Sequence, residues 1–229
     1  MNKILEVQFS GWTATPRMPF VITGGSEGGS ICMPTPSYSI IMGIIGCCLG
    51  RIVESKEVDV GFKYSYDTVA KDIETRKRYE NKGKGIVINP KGTNPYKLEF
   101  HTFPQLTIWL NRLDWKEYFE NPIGTPSLGR SQDILKIDNI RIVEVQPVKQ
   151  AKISGCMLPF DSSIKAGGQL IQLAEAFNEN VEVGSGRTHT KSKIFISIPA
   201  DNDVEIAYSQ LYQIIDSPVN SFYLHKFHD

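Results

Sequence analysis

Residues 34–51 read PTPSYSIIMGIIGCCLGR. Two prolines hold the chain extended, Ser37 or Ser39 is placed to cap a helix, and Ile40 to Gly50 follows as an apolar helical run. Gly43, Gly46 and Gly50 fall at i, i+3 and i+7, on one face of that run. Each glycine costs roughly 1 kcal/mol against alanine in a helix interior, so three on one face imply that backbone passes close by. Tight packing of the helix on a sheet satisfies that, and so does a ligand backbone or partner chain; both readings stand at this point.

On the N-terminal side, Lys3 to Phe9 sets Leu5, Val7 and Phe9 against Ile4, Glu6 and Gln8, the pattern of a half-buried strand. Ser10 to Ser37 is rich in Gly, Pro, Ser and Thr. Its Gly24-Gly25-Ser26-Glu27-Gly28-Gly29 segment reads as a long loop or hairpin tip. On the C-terminal side, Val58 to Tyr66 and Tyr96 to Phe103 alternate as strands, and Gln105 to Leu110 extends a sheet. Leu113 to Asn121 is a short helix stopped by Pro122. After a Gly/Pro/Ser loop over Ile123 to Gln132 comes a strand at Ile137 to Gln146. Gly168 to Phe177 and Val204 to Ile215 have helical spacing, and Ile194 to Ile198 is a short strand. No solenoid-length repeat recurs. The order strand, helix, strand, strand, helix, strand implies an α+β, ferredoxin-like core followed by a less regular C-terminal half.

The chain has 229 residues, 41% hydrophobic and 22% charged, which excludes disordered, collagen-like and disulfide-scaffold classes. With 25 basic against 25 acidic residues, bulk charge points to no nucleic-acid partner, so any electrostatic signal is local. Cys32, Cys47, Cys48 and Cys156 form no C-x-x-C pair, as suits a reducing cytosol, and adjacent Cys47 and Cys48 in the apolar run read as small buried hydrophobes. No metal or other cofactor is expected. The N-terminus lacks a secretory pattern, and the longest apolar stretch, Ile40 to Leu49, is about half of a ~20-residue membrane span. A soluble cytoplasmic protein without membrane contact is expected.

The local signal lies between Lys63 and Lys97. Lys63, Lys71, Arg76, Lys77, Arg78, Lys82, Lys84, Lys91 and Lys97 meet only Asp67, Asp72, Glu74 and Glu80, on a segment broken by Gly83, Gly85 and Gly92. A cationic arm between two strands grips phosphates in a salt-dependent way, and Tyr79 and Tyr96 add faces for unpaired bases. The plain alternative is a solvated charged hairpin. Of the histidines His101, His189, His225 and His228, His101 shares a strand face with Lys97, and His189 sits in a basic Gly/Ser loop. No P-loop, HExxH or GxSxG occurs.

Three segments together resemble the fifth CRISPR-associated protein family. They are Trp12 to Phe20, with Pro16-Arg17-Met18-Pro19-Phe20, residues 34–51, and Pro126 to Asp133, with Leu128-Gly129-Arg130-Ser131. The resemblance covers about residues 1–146. It implies a RAMP-type, RRM-related core over 1–146 with a basic thumb hairpin inserted at about 67–95; residues 147–229 are then expected as a C-terminal extension packed on that core. It further implies a non-catalytic subunit of a type I Cascade surveillance complex that caps the 5′ handle of the crRNA. Its partners would be the Cascade backbone subunit, the large subunit, and target DNA near the flanking motif. Arg17, Gly129, Arg130 and Ser131 would then meet the handle, with Ser37, Tyr38 and Ser39 at the helix start and Arg76, Arg78, Lys82 and Lys84 on the thumb. One subfamily processes precursor crRNA as a metal-independent endoribonuclease, using a Tyr and a Lys-His pair. This sequence has no Lys-His dipeptide, so binding is the leading expectation and cleavage the rival.

Overall fold

The computed structural model describes residues 3–19, 29–83, 85–161, 166–177 and 192–227. Its first half runs β1 (Lys3–Gly11), β2 (Thr13–Ala14), β3 (Gly29–Ser30), α1 (Tyr38–Leu49), β4 (Val60–Ser65), β5 (Thr68–Asn81) and β6 (Ile86–Thr102). Then come β7 (Gln105–Leu110), α2 (Lys116–Glu120), β8 (Leu135–Ile153), β9 (Cys156–Pro159), β10 (Gln169–Ala174), β11 (Ser192–Ile198), β12 (Val204–Ile214) and β13 (Ser217–Tyr223). The fold is mostly-β α+β. Its main sheet is antiparallel in the order β13-β12-β8-β1-β7-β4. The two ends of this sheet meet, because His225, just past β13, exchanges backbone hydrogen bonds of 2.9 and 3.0 Å with Val60 of β4.

Helix α1 follows its sequence signals. The Ser37 hydroxyl accepts from the Ile40 N–H at 3.3 Å, a cap of about 1 kcal/mol. Gly50 closes the helix at φ +68, its N–H donating to the Cys47 carbonyl. Tyr38, Ile41, Met42, Ile44, Ile45, Cys48 and Leu49 are buried and cluster with Leu5, Val7 and Phe9 of β1 and Phe62 of β4. The glycine face points away from this core. A Cβ at Gly46 would meet the Arg51 carbonyl and one at Gly50 would meet Ile123, whereas Gly43 faces open space. Two of the three glycines therefore answer to this chain's own backbone and loop.

Strand β1 departs from the half-buried expectation. Leu5, Val7 and Phe9 enter the α1 core, while Ile4 packs on the other face with Trp109, Val143, Ile214 and Phe222. Two expected helices are strands. Gly168 to Phe177 contains β10, paired along its length with β11. In so short an apolar run both periods fit, and buried Ile171 and Leu173 follow period two. Val204 to Ile215 contains β12. A bulge between Ala207 and Leu211 shifts its register against β8, so the buried residues Ile206, Leu211 and Ile214 fall at uneven, helix-like intervals. Residue 146 lies inside β8, which pairs with β1 before that point and with β12 from Val145 onward.

Strands β5 and β6 form one long hairpin, paired from Thr68–Thr102 to Asn81–Ile86 with a register shift between Lys77 and Tyr79. At its foot β6 also pairs with β2 and β3. Beyond that, β5 and β6 pair with no other strand among the described residues, and Thr75 to Asn81 alone span roughly 20 Å. Pro90 and Pro95 lie in this outer part of β6, where a missing N–H breaks no second ladder.

Candidate nucleic-acid interface

The sequence-predicted basic arm is this hairpin. Gly83 and Gly85 turn its tip at φ +79 and +137, a region in which a side chain is strained. Lys77, Arg78 and Lys82 are exposed. Lys82 is paired with Glu80 at 3.0 Å, and Lys71, at the foot, with Glu99 at 3.7 Å. Lys84 and the side chain of Arg76 lie outside the described residues. Ile73, Tyr79, Ile86, Val87 and Ile88 are also exposed on the arm, so it presents apolar surface beside its cations.

At the foot of the arm the turn carrying Leu128-Gly129-Arg130-Ser131 closes on Asp133, with Leu128 N–H donating to the Asp133 carbonyl and Asp133 N–H to that of Arg130. Gly129, at φ +109, lies so close to Thr15 that a Cβ would strike its carbonyl. Arg130 reaches back across this approach. Its guanidinium holds both carboxylate oxygens of Asp133, at 3.1 and 3.0 Å, the Thr15 hydroxyl at 3.1 Å, and Glu74 of β5 at 2.8 Å. Asp133 is buried and also accepts from Thr13 at 2.6 Å, from Thr15, and from the Arg130 N–H at 3.1 Å. Burial alone would raise the Asp133 carboxyl; the bonds from Arg130, Thr13 and Thr15 outweigh it and hold the group below the usual range. Arg130 thus clamps the turn to the arm. Sequence reasoning missed Glu74, Thr13, Thr15 and Asp133. Asp133 alone left a signal, as an acid three residues past Arg130 in a turn. Ser131 is exposed beside the clamp.

Arg17 is exposed on a short bridge to Cys32. The Cys32 N–H donates to Glu99 at 3.3 Å, which ties this bridge to β6. Burial and then Glu99 push the Cys32 thiol up to about 12, against smaller lowering effects of Arg17 and Arg130. Arg17 lies two residues past Thr15, whose hydroxyl Arg130 holds, so both predicted arginines belong to the foot of the arm. The start of α1 is different. Tyr38 is buried, its hydroxyl donating to the Met157 carbonyl at 2.7 Å and its ring stacked on His225. Ser37 is a buried cap, and Ser39, bonded to it at 2.8 Å, is half-exposed. Ser37 and Tyr38 hold the core, so an external phosphate has direct access only to Ser39.

His101 is 1% exposed, with Nδ1 2.8 Å from the Tyr64 hydroxyl and its ring stacked on Tyr66 at 3.6 Å. Burial drops it to about 4, so it is neutral near pH 7. His225 is likewise buried, 2.6 Å from Glu175, which also pairs with Lys193. His189, His228 and residues 20–28 of the glycine-rich loop lie outside the described residues. Among the described residues no three His, Cys, Asp or Glu side chains are gathered as metal ligands, and no helix is long and apolar enough to cross a membrane.

No family model matches the chain, and no curated protein matches it in sequence. Solved structures do. A chain of a CRISPR RNA-guided surveillance complex is similar at TM-score 0.54 and 10% identity, with 88% of this chain and 91% of that chain covered. A CRISPR protein from Archaeoglobus fulgidus is similar at TM-score 0.52 and 9% identity, with 98% and 99% covered. In fold, this chain is similar to CRISPR-associated proteins along nearly its whole length.

Proposed function

We propose that this chain is the RNA-binding, non-catalytic subunit of a CRISPR RNA-guided surveillance complex that holds the 5′ handle of the crRNA. The observation that carries the proposal is the β5–β6 arm, cationic and self-paired, rising from a foot where the Arg130 turn is bonded to Thr15, two residues before Arg17, and to Glu74 of β5. The whole stands on a fold similar to that of a surveillance-complex chain. The order β8-β1-β7-β4, with α1 between β1 and β4 and α2 between β7 and β8, supports reading the core as ferredoxin-like. An unpaired handle is read by stacking, by base edges and by 2′-hydroxyls rather than in a groove. The exposed cations of the arm supply the sequence-independent part of that grip. The exposed apolar residues of the arm support contact with a neighbouring backbone subunit, and guide–target pairing rather than this chain would read target sequence. Burial of His101 behind Tyr64 and Tyr66 argues against a cleaving role for it.

The test incubates the full chain with labelled repeat-derived RNA, tracking binding and cleavage. Tight, salt-sensitive binding without cleavage, weakened by deleting residues 75–93, is the expected result. Cleavage abolished by His101→Ala would establish the endoribonuclease instead, and binding indifferent to the deletion would refute the arm's role.

A further inference from the structure

Trp12 is 82% exposed, the highest value among the exposed large hydrophobic residues described, and Phe103 is 53% exposed. They occupy matching corners. On one segment Ser10 still pairs with Gln105 of β7, while Thr13 already pairs with Thr102 of β6. Trp12 lies where the chain leaves one sheet for the other. On the opposing segment Phe103 lies between Thr102, which ends β6, and Gln105, which begins β7. Two backbone bonds lock the crossing: Phe103 N–H to the Trp12 carbonyl at 2.9 Å, and Gly11 N–H to the Pro104 carbonyl at 3.1 Å. Phe103 is held at φ +48 immediately before a proline. A bulky residue there favours extended backbone, so the corner keeps a conformation that glycine would adopt more easily. Strain of this kind around an exposed ring points to a use for the ring. The two ring centroids are 6.2 Å apart and tilted by 41°.

We propose that Trp12 and Phe103 form a stacking platform for an unpaired base of an RNA strand crossing the foot of the arm. The proposal rests on the RNA-binding function proposed for this chain and adds to it a site for a base. The platform is joined to the Arg130 clamp, because the hydroxyl of Thr13, next to Trp12, donates to Asp133. Thr13 and Thr102 adjoin the two rings in sequence and pair with each other across β2 and β6, their hydroxyls bonded to Asp133 and to the Thr68 carbonyl. A large planar face open to water suits a base, whose other edges stay hydrated. Every base has such a face, so the platform is tolerant of sequence.

Trp109 and Trp115 are buried, so of the three tryptophans Trp12 alone emits as a solvent-exposed indole. Titrating the full chain with a short single-stranded RNA is expected to quench that red-edge emission; the same strand made abasic is expected to bind without quenching. Trp12→Ala and Phe103→Gly are each expected to weaken RNA binding roughly 5- to 150-fold while leaving the abasic strand unaffected. Phe103→Gly relieves the strained φ, so its melting temperature should hold or rise, and weaker binding by it is not misfolding. RNA that binds the parent chain without quenching, and binds both variants equally well, would overturn the platform and leave the RNA-binding function standing. A parent chain that binds no RNA would overturn both. Trp12→Ala that keeps full RNA affinity but loses a protein partner on co-purification would assign the rings to a protein interface and overturn the platform.

Discussion

Arg130→Ala tests whether the clamp at the foot of the arm is a structural necessity. The substitution removes four hydrogen bonds of the guanidinium, to Asp133 twice, Thr15 and Glu74. The Arg130 side chain is 14% exposed and that of Asp133 0%, so the surviving carboxylate stays buried without a cation. Breaking such a pair costs about 3–5 kcal/mol. Thr13, Thr15 and the residue-130 N–H still donate to Asp133, which places the loss near the lower end, at about 3 kcal/mol. For a chain of this size that is a drop of roughly 6–12 °C in melting temperature. Urea unfolding at pH 7 measures it. The sharper arm of the assay is Asp133→Asn in the Arg130→Ala background. If the cost comes from a stranded charge, removing that charge restores part of the stability. A single-variant loss under about 1 kcal/mol, or a double variant less stable than Arg130→Ala, would refute the reasoning. The Asp133 carboxyl is depressed in the folded chain. Its contribution is therefore present above the ordinary aspartate range near 4 and lost as pH falls through the folded value.

Three further outcomes follow from the same geometry. Gly129→Ala combines φ +109 with a Cβ at 2.3 Å from the Thr15 carbonyl oxygen; it should destabilise by several-fold more than the ~1 kcal/mol typical of point variants, read by thermal melting. His101 is lowered by burial to about 4 from 6.5. Protons then favour the unfolded chain, so stability is full above about 6.5 and falls by about 3 kcal/mol as pH drops toward 4. Urea midpoints should show His101→Phe missing that part of the pH dependence. Changing Lys77, Arg78 and Lys82 together to alanine should lower the slope of log affinity against log salt by about 0.7 for each phosphate left without its cation, with little change in melting temperature; an unchanged slope would take the arm's cations off the RNA.

Local chemistry alone determined the parts of this protein whose signals are near-neighbour. The cap at Ser37, the apolar stripe of α1 and Gly50 set one helix. Alternation set β1 and β4, and the glycines at the tip with nine cations nearby marked the arm. Arg17 and Arg130 were candidates only through the family resemblance, and local sequence did not foretell that Arg130 would be spent on Asp133, Thr15 and Glu74. Tertiary pairing decided the rest. Strands β10 and β12 look helical until β11 and β8 are beside them, because the short apolar run of β10 fits two periods and a bulge disguises the period of β12. The partners of Arg130 lie up to 115 positions away in sequence, and Tyr38 turned inward because β9 offered it a carbonyl. Trp12 and Phe103 became a pair only when two chain segments, 91 residues apart, crossed between sheets at the same corner. Spacing along a chain encodes what a residue's neighbours within a turn or strand will be; it does not encode which distant backbone will complete its hydrogen bonds, and at this site those distant backbones choose which side chains are buried and which stay exposed.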